Sequence, residues 1–371
     1  MTDRDYMLRA IELAKKGRGW VNPNPMVGAV IVKEGRIIGE GYHTRYRSLH
    51  AEREAFASLK ESALGATIYV TLEPCCHHGN QPPCTDAILE HGIARVVIGS
   101  RDPNPLVAGK GAAILREKGI LVEEDFMREE CDELNTIFFH YITRKKPYVT
   151  IKYAMSLDGK IACKTGASRW ITGEAARSHV HELRGRYNAI MAGIGTVLAD
   201  DPMLNCRIEG GHQPIRIVAD SQLRIPLDSQ LCKSADTYPL IIACACASPE
   251  KKKALEKLGC EVLILPGEDG KTDLRALIGV LGERKVDSLL IEGGGRLHEA
   301  ALRAGIVNHV CAYIAPKLLG GADALSPVEG LGVELPDEGA QLDNLKIRQL
   351  GGDVLLEYDL VGGMNHVYWN C

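Results

Sequence analysis

A His-x-Glu triplet, His50-Ala51-Glu52, is answered across one strand-length run by Pro74-Cys75 and, after eight intervening residues, by Cys84. That supplies soft or borderline metal ligands together with a carboxylate that need not bind metal. Three protein ligands leave the fourth tetrahedral position of a zinc ion for water, whose pKa the metal lowers toward neutrality. A chain built around this set must bring both segments to one point. Spacing alone leaves Cys76, His77 and His78 open as ligands beside Cys75 and Cys84.

The flanking pattern provides a frame for that convergence. Asp5 to Lys16 places Met7, Ala10, Ile11 and Ala14 on one helical face, and Gly17 is a suitable stop. Met26 to Val32 reads as a buried strand, and Glu34-Gly35 turns it into a second one through Ile37 and Ile38. Helix signals run from Ala51 to Lys60 and end at Leu64-Gly65. The strand Thr67 to Leu72 delivers Glu73-Pro74-Cys75, and a helix from Thr85 to His91 starts directly after Cys84. A helix start favours the thiolate that zinc requires. A strand at Arg95 to Gly99, a helix at Gly111 to Lys118, a strand at Ile120 to Glu123 and a long helix at Glu129 to Thr143 complete a three-layer α/β/α domain.

At 371 residues the chain is long for one domain. Arg144-Lys145-Lys146-Pro147 reads as a hinge, giving expected domains at 1–146 and 147–371. A formal net charge of −4 gives no reason to expect a polyanion as the main partner. A closed structural zinc module that binds nucleic acid would need a fourth ligand and a basic surface, and would leave Glu52 without a role. The 12 cysteines sit mostly singly in apolar stretches, which suits a reducing compartment rather than a disulfide scaffold. No apolar run approaches bilayer length, and the N-terminus has no apolar signal segment, so a soluble cytoplasmic protein is expected.

The first half resembles a known family. His50-Ala51-Glu52, Pro74-Cys75 with Cys84 inside Gln81-Pro82-Pro83-Cys84, Asp102-Pro103-Asn104-Pro105 ahead of Gly109-Lys110-Gly111, and Pro23-Asn24-Pro25-Met26-Val27-Gly28 resemble the deaminase domain of the bifunctional riboflavin-biosynthesis deaminase/reductases. The resemblance implies that His50, Cys75 and Cys84 bind one zinc per chain and that Glu52 is the proton shuttle. It implies substrate contacts at Asn24, His43, Asp102 and Asn104. Two positions depart from the pattern: Asn80 stands where the family commonly has Lys or Arg, and Arg47 stands where it has Gly. Arg47 is expected to replace the missing cation.

The second half alternates regularly. Tyr148 to Tyr153 is a strand, and Met155 to Lys160 turns into another. A helix at Glu174 to Gly185 leads to strands at Ala189 to Ala192, Ile215 to Ala219, Leu240 to Ala245 and Glu261 to Leu265, with a helix at Pro249 to Leu258. This pattern gives a second α/β domain with a largely parallel sheet. Ser288 to Ile291 is a buried strand running through Glu292 into Gly293-Gly294-Gly295 and the helix Arg296 to Arg303. Glycines between a strand and a helix start admit phosphate oxygens to backbone N–H groups, although a tight turn needs no ligand.

Lys152 to Lys160, Ser168-Arg169-Trp170-Ile171-Thr172-Gly173 and Gly195 to Pro202 resemble the reductase domain of the same family. The resemblance implies a dihydrofolate-reductase-like α/β domain, with NADPH contacts from Ala154, Trp170, Thr196, Asp200, Ser221, Gly294 and Gly295. It implies substrate contacts from Ser168, Arg184, Leu204, Arg207 and Glu292. Arg184 and Arg207 suit a bidentate grip on a 5′-phosphate. Lys152 and Glu292 are both candidates for general acid.

The expected protein is therefore an α/β chain with an N-terminal cytidine-deaminase-like domain and a C-terminal reductase domain. Its substrate would be a small pyrimidine ribosylamine phosphate, with Zn2+ and NADPH as cofactors. No nucleic acid and no membrane are expected as partners, and the chain is expected to form a homo-oligomer. A cytidine- or deoxycytidylate-type deaminase with an inactive second domain is the alternative.

Overall fold

The structure, a computed structural model, describes residues 1–78 and 81–361. The chain divides into two compact units, Met1–Lys145 and a second that begins at Lys146.

In the first unit the order is α1 (Asp3–Lys15), β1 (Gly28–Lys33), β2 (Arg36–Tyr42), α2 (Ala51–Ala57), β3 (Thr67–Leu72), α3 (Cys84–Glu90), β4 (Arg95–Ser100), α4 (Lys110–Glu117), β5 (Leu121–Glu123), α5 (Arg128–Leu134) and α6 (Thr136–Arg144). The sheet order is β2-β1-β3-β4-β5; β1 pairs antiparallel with β2 and β3, and the rest pair in parallel. Alternation along the strands feeds two cores. Ala29, Ile31, Ile68, Val70, Val96 and Ile98 pack under α2, α3 and α4, whereas Val30, Val32, Tyr69 and Val97 meet α1 and α5. Gly41 lets α2 lie directly on β2, because a Cβ there would collide with the Ala51 carbonyl. This close approach sets the height of His50, the residue that opens α2.

The expected helix 129–143 is instead two helices broken at Asn135. The buried Asn135 side chain accepts from Met26 N–H (2.8 Å) and donates to Met26 C=O (2.9 Å). Pairing both backbone groups of a residue 109 positions away outweighs helical continuity.

The second unit runs β6 (Tyr148–Ser156), α7 (Glu174–Arg186), β7 (Ala189–Gly193), α8 (Ile194–Asp200), β8 (Ile215–Ala219), α9 (Gln230–Lys233), β9 (Leu240–Cys244), α10 (Pro249–Lys257), β10 (Glu261–Ile264), α11 (Leu274–Glu283), β11 (Ser288–Glu292), α12 (Gly295–Arg303), β12 (His309–Ala315), β13 (Leu342–Leu350) and β14 (Asp353–Leu360). The sheet order is β10-β9-β8-β7-β11-β6-β12-β14-β13, parallel from β10 to β12 and antiparallel beyond. One face packs on α11 and α12 through Val149, Ile151, Met191, Ile217 and Leu289. The other carries α8, α9 and α10 over Ile190, Val218 and Ile242.

The strand expected beyond the turn at Lys160 is absent. Asp158 instead accepts N–H bonds from Leu319 (3.0 Å) and Gly320 (2.7 Å), and Ile161 N–H donates to Leu325 C=O (2.9 Å). The chain after the turn is thus tied to an irregular loop. No helix among the described residues is long and apolar enough to cross a membrane.

Candidate functional site

His50 is the N-cap of α2, and Cys84 is the first residue of α3. Cys75 follows β3, and its carbonyl accepts from Cys84 N–H (3.0 Å) and Thr85 N–H (3.2 Å), so the two cysteines are held together by the start of α3. His50 Nδ1 lies 3.4 Å from Cys75 Sγ and 3.4 Å from Cys84 Sγ. All three donor atoms lie within 4.8 Å of one another. A tetrahedral zinc with ordinary Zn–S and Zn–N bonds has an N–S edge of about 3.6 Å, so the donor set fits that ion through Nδ1. The Cys84 thiol and the His50 ring hold Cys75 down at about 4, against the effect of burial. Cys76 faces away, with its thiol toward the Leu106 carbonyl.

Glu52 is buried in the first turn of α2 with its carboxyl beside Cys84, and burial pushes it up to about 7. His43 Nδ1 lies 2.9 Å from the Leu49 carbonyl, which leaves Nε2 to accept from Asn24 Nδ2 at 3.1 Å. The His43 and His50 rings stand edge to face at 5.7 Å, so Asn24 and His43 belong to the same cleft as the metal ligands. Asp102 accepts Asn104 N–H (2.8 Å), and Asn104 Oδ1 accepts Leu106 N–H (3.2 Å), making two successive side-chain turns. Asp102 is buried, which raises it to about 7.

Two supporting residues have no sequence signature. Glu73 is buried, and its carboxylate accepts from Gly109 (3.0 Å), Gly111 (3.0 Å) and Ala112 (3.3 Å) N–H, which fixes the start of α4 against the cysteine loop. Arg53, on α2, donates to the carbonyls of Pro82 (3.1 Å) and Pro83 (2.8 Å), joining the helix that carries His50 to the loop that carries Cys84. Arg47 has a left-handed φ of 71° and lies over the Tyr46 ring at 5.3 Å. Asn80 lies outside the described residues.

In the second unit the predicted cofactor residues gather at the C-terminal ends of parallel strands: Ala154 near the end of β6, Thr196 in the first turn of α8 after β7, Ser221 after β8, and Gly294 and Gly295 after β11. This is where open α/β sheets bind ligands. Neither α8 nor α12 has a side-chain cap on its first turn. The two glycine turns adjoin, since a Cβ at Gly293 would lie 3.5 Å from Gly193 N. The two glycines of the predicted pair differ. Gly294 has open space where a Cβ would be, while a Cβ at Gly295 would meet the Ser326 carbonyl at 2.6 Å. Open space beside two uncapped helix starts fits the phosphates of a dinucleotide. Ser221 Oγ is fixed by Thr272 N–H at 3.0 Å. Trp170 is 61% exposed, with Arg177 stacked on it at 4.6 Å; Asp200 is exposed at the end of α8.

Arg184 does not stand open. It forks onto Glu292, with Nε to Oε1 at 2.8 Å and Nη2 to Oε2 at 3.0 Å, and its Nη1 donates to the Asn205 carbonyl (3.1 Å). Lys152 Nζ is 3.1 Å from Glu292 Oε2. Burial alone would raise Glu292, but the Arg184 and Lys152 charges outweigh it and hold the carboxyl far below the usual carboxylate range. Leu204 is buried with a φ of 50°; Arg207 is exposed, and its N–H reaches His181 Nδ1 at 3.3 Å. Ser168 is half-buried in the loop before Trp170.

Residues 1–100 match the cytidine and deoxycytidylate deaminase zinc-binding region, and residues 147–356 match the RibD C-terminal domain. The chain belongs to the RibD family of riboflavin-biosynthesis proteins. RibD of Actinobacillus pleuropneumoniae is 54% identical over 97% of this chain and 96% of its own length. RibD of Escherichia coli strain K12 is 41% identical over 98% and 100%. The Acinetobacter baumannii RibD structure is 37% identical with a TM-score of 0.86, covering 97% of this chain and 99% of that one. A Thermotoga maritima deaminase/reductase structure is 38% identical with a TM-score of 0.83, covering 96% and 98%. As a RibD-family chain it is a bifunctional enzyme, a zinc-dependent deaminase and an NADPH-dependent reductase. It joins a cytidine-deaminase-like domain to a dihydrofolate-reductase-like one. The near full-length RibD matches support this reading over a cytidine- or deoxycytidylate-type deaminase with an inactive second domain. Among the described residues the cluster has three ligands, unlike a closed four-ligand module.

Proposed function

We propose that the first unit deaminates a diaminohydroxyphosphoribosylaminopyrimidine and that the second reduces the resulting 5-amino-6-(5-phosphoribosylamino)uracil, the two activities named for the Thermotoga maritima relative. The convergence of His50 Nδ1, Cys75 Sγ and Cys84 Sγ beside the buried Glu52 carries this reading. Zinc held there supplies the Lewis acidity that makes water a nucleophile at neutral pH. Glu52 takes the proton from the attacking water and returns it to the departing ammonia. Asn24 and His43 orient the ring, and Asp102 and Asn104 close the cleft over the sugar side.

For the reductase, NADPH supplies the hydride, and the protein supplies position and the proton. Ring opening of the ribosylamine exposes an imine; hydride joins its carbon while its nitrogen takes a proton. Glu292, held ionised, cannot donate that proton, so we assign it to Lys152, with Glu292 orienting the ribose hydroxyls. Arg184 positions Glu292. Arg207, whose side chain is exposed, and Ser168 are assigned to the phosphate, with Leu204 shaping the pocket wall. Ala154, Trp170, Thr196, Asp200, Ser221 and Gly294 hold the cofactor, while Gly295 serves helix packing.

Two assays on the full chain test the reading: ammonia release from the pyrimidine substrate, and NADPH oxidation by the deaminated product but not by dihydrofolate. Absence of either activity would overturn the corresponding half. We also propose a homo-oligomer paired along β13, an edge strand on which Ile347 is 64% and Leu345 48% exposed. Light scattering on the wild type and on Ile347→Lys tests this, and a monomeric wild type would refute it. We place the protein in the cytoplasm, where its free cysteines stay reduced. Neither a nucleic acid nor a membrane is among its proposed partners.

A further inference from the structure

A second group of metal-binding side chains lies in the reductase unit, on the last strands of its sheet. His309 and Cys311 alternate along β12 and project from the same face. Their register partners on β14 are Asp359 and Glu357, respectively. His309, Cys311 and Glu357 place one ligand atom each within 4.8 Å of one another, the same closeness found at His50, Cys75 and Cys84.

We propose that His309, Cys311 and Glu357 form a second cation site, selective for zinc or a similar thiophilic divalent ion. His309 Nδ1 is 2.8 Å from Asp359 Oδ1, which fixes the ring and turns Nε2 toward Glu357 Oε1 at 3.8 Å. Cys311 Sγ lies 4.0 Å from that same oxygen. The other Glu357 oxygen is occupied by Arg348, whose Nε and Nη2 lie at 3.0 and 2.8 Å. Asp359 is itself steadied by Asn344 Nδ2 at 3.2 Å. Each nitrogen or oxygen facing away from the shared point thus has a partner, while Nε2, Sγ and Oε1 face one another. A carboxylate on the far nitrogen of a ligating histidine is the usual outer-shell support of a zinc site.

The distances need only a small closure. Ordinary zinc bond lengths give tetrahedral edges of about 3.4 Å for N–O and 3.6 Å for S–O, so the two edges that meet at Glu357 Oε1 need a few tenths of an ångström, while the His309–Cys311 edge lies within 4.8 Å. Imidazole, thiolate and carboxylate together select zinc or cobalt over calcium and magnesium, which prefer all-oxygen sites. With the ring neutral, the thiolate and carboxylate balance a dication, and solvent supplies the fourth ligand. Cys311 is 1% exposed, whereas the His309 and Glu357 side chains keep 18% and 15% exposure, which gives an ion a way in. The competing arrangement is a metal-free ion-pair network, with a protonated His309 between two carboxylates and Arg348 neutralising Glu357.

An ion here would staple β12 to β14 and so fasten the antiparallel hairpin to the parallel sheet. Cys311 is also the register partner of Lys152 on β6, so the staple would stiffen the strand beside the Lys152–Glu292 pair.

Metal counting on the full chain separates the alternatives. After chelation, reloading with Zn2+ and removal of unbound ion, elemental analysis should give two zinc per wild-type chain. It should give one for Cys311→Ser with deaminase activity retained, and one for His50→Ala with activity lost. Cobalt provides an independent reading. A Cys75→Ser/Cys84→Ser chain loaded with Co2+ should keep a thiolate-to-cobalt charge-transfer band that disappears when Cys311→Ser is added. Should that triple variant fail to fold, adding His309→Gln instead, which keeps the thiol, must abolish the band. One zinc per wild-type chain, or a cobalt band that survives loss of Cys311 or His309, would overturn the proposal.

Discussion

The Arg184 guanidinium grips the Glu292 carboxylate with two parallel bonds of 2.8 and 3.0 Å in a largely buried setting. Removing one partner of a buried pair typically costs about 3–5 kcal/mol, and with Lys152 still 3.1 Å from Glu292 the loss of Arg184 falls at the low end, about 3 kcal/mol. Arg184→Ala should therefore destabilise the second unit by about that amount in urea unfolding. Glu292 is held far below the ordinary value, so its share of stability is complete above the unfolded-state pKa of about 4.3. As pH falls below that value toward the depressed folded pKa, this share is lost. The wild type should weaken steeply below about pH 4 through this group, and Glu292→Gln should show a flatter profile there.

Glu52→Gln separates metal binding from proton transfer. The amide has the same shape and does not alter the His50, Cys75 and Cys84 cluster, so zinc content at that site should be unchanged. Deamination should fall by about 10²–10⁴ because the proton shuttle is gone, while NADPH oxidation by the deaminated product stays at the wild-type rate. Equal loss of both activities would show a folding defect instead.

Arg53→Ala should loosen zinc without touching a ligand. Arg53 ties the Pro82 and Pro83 carbonyls to α2, and with that tie gone the loop ahead of Cys84 is free to shift relative to His50. Loss of outer-shell support commonly costs 10–100-fold in metal affinity, so transfer of zinc to a competing chelator should occur at about 10–100-fold lower chelator concentration. Arg53→Lys retains one donor and should fall between.

The zinc cluster was legible because ligand chemistry restricts the residue types at each position, and the helix and strand signals around His50 and Cys84 are local. Buried parallel strands such as Ile215–Ala219 were legible for a similar reason, being short apolar runs between turns. Long-range pairing was not. Nothing near Asn135 announces that Met26, 109 residues away, will claim its side chain and split a helix. Nor does the exposed sequence of β13 mark a strand, since its strand character comes from the ladder with β14. The sequence suits Arg184 to a bidentate grip on a phosphate, but nothing local shows that the fork is taken by Glu292, 108 positions on.

Arg47 illustrates how a departure from a family pattern acquires a physical meaning. The backbone there has a φ of 71°, a conformation that costs an L-residue roughly 1–2 kcal/mol and glycine almost nothing. The extra chain entropy of glycine in the unfolded state returns part of that difference. Arg47→Gly should therefore stabilise the first unit by about 0.5–1 kcal/mol in thermal or urea unfolding. The Arg47 guanidinium lies over Tyr46, beside the segment that carries Leu49 and His50. If it also serves as the cation for the substrate phosphate, the same variant should raise the deaminase KM with little change in kcat. A gain in stability with an unchanged KM would assign Arg47 to the turn alone and leave the phosphate to another group.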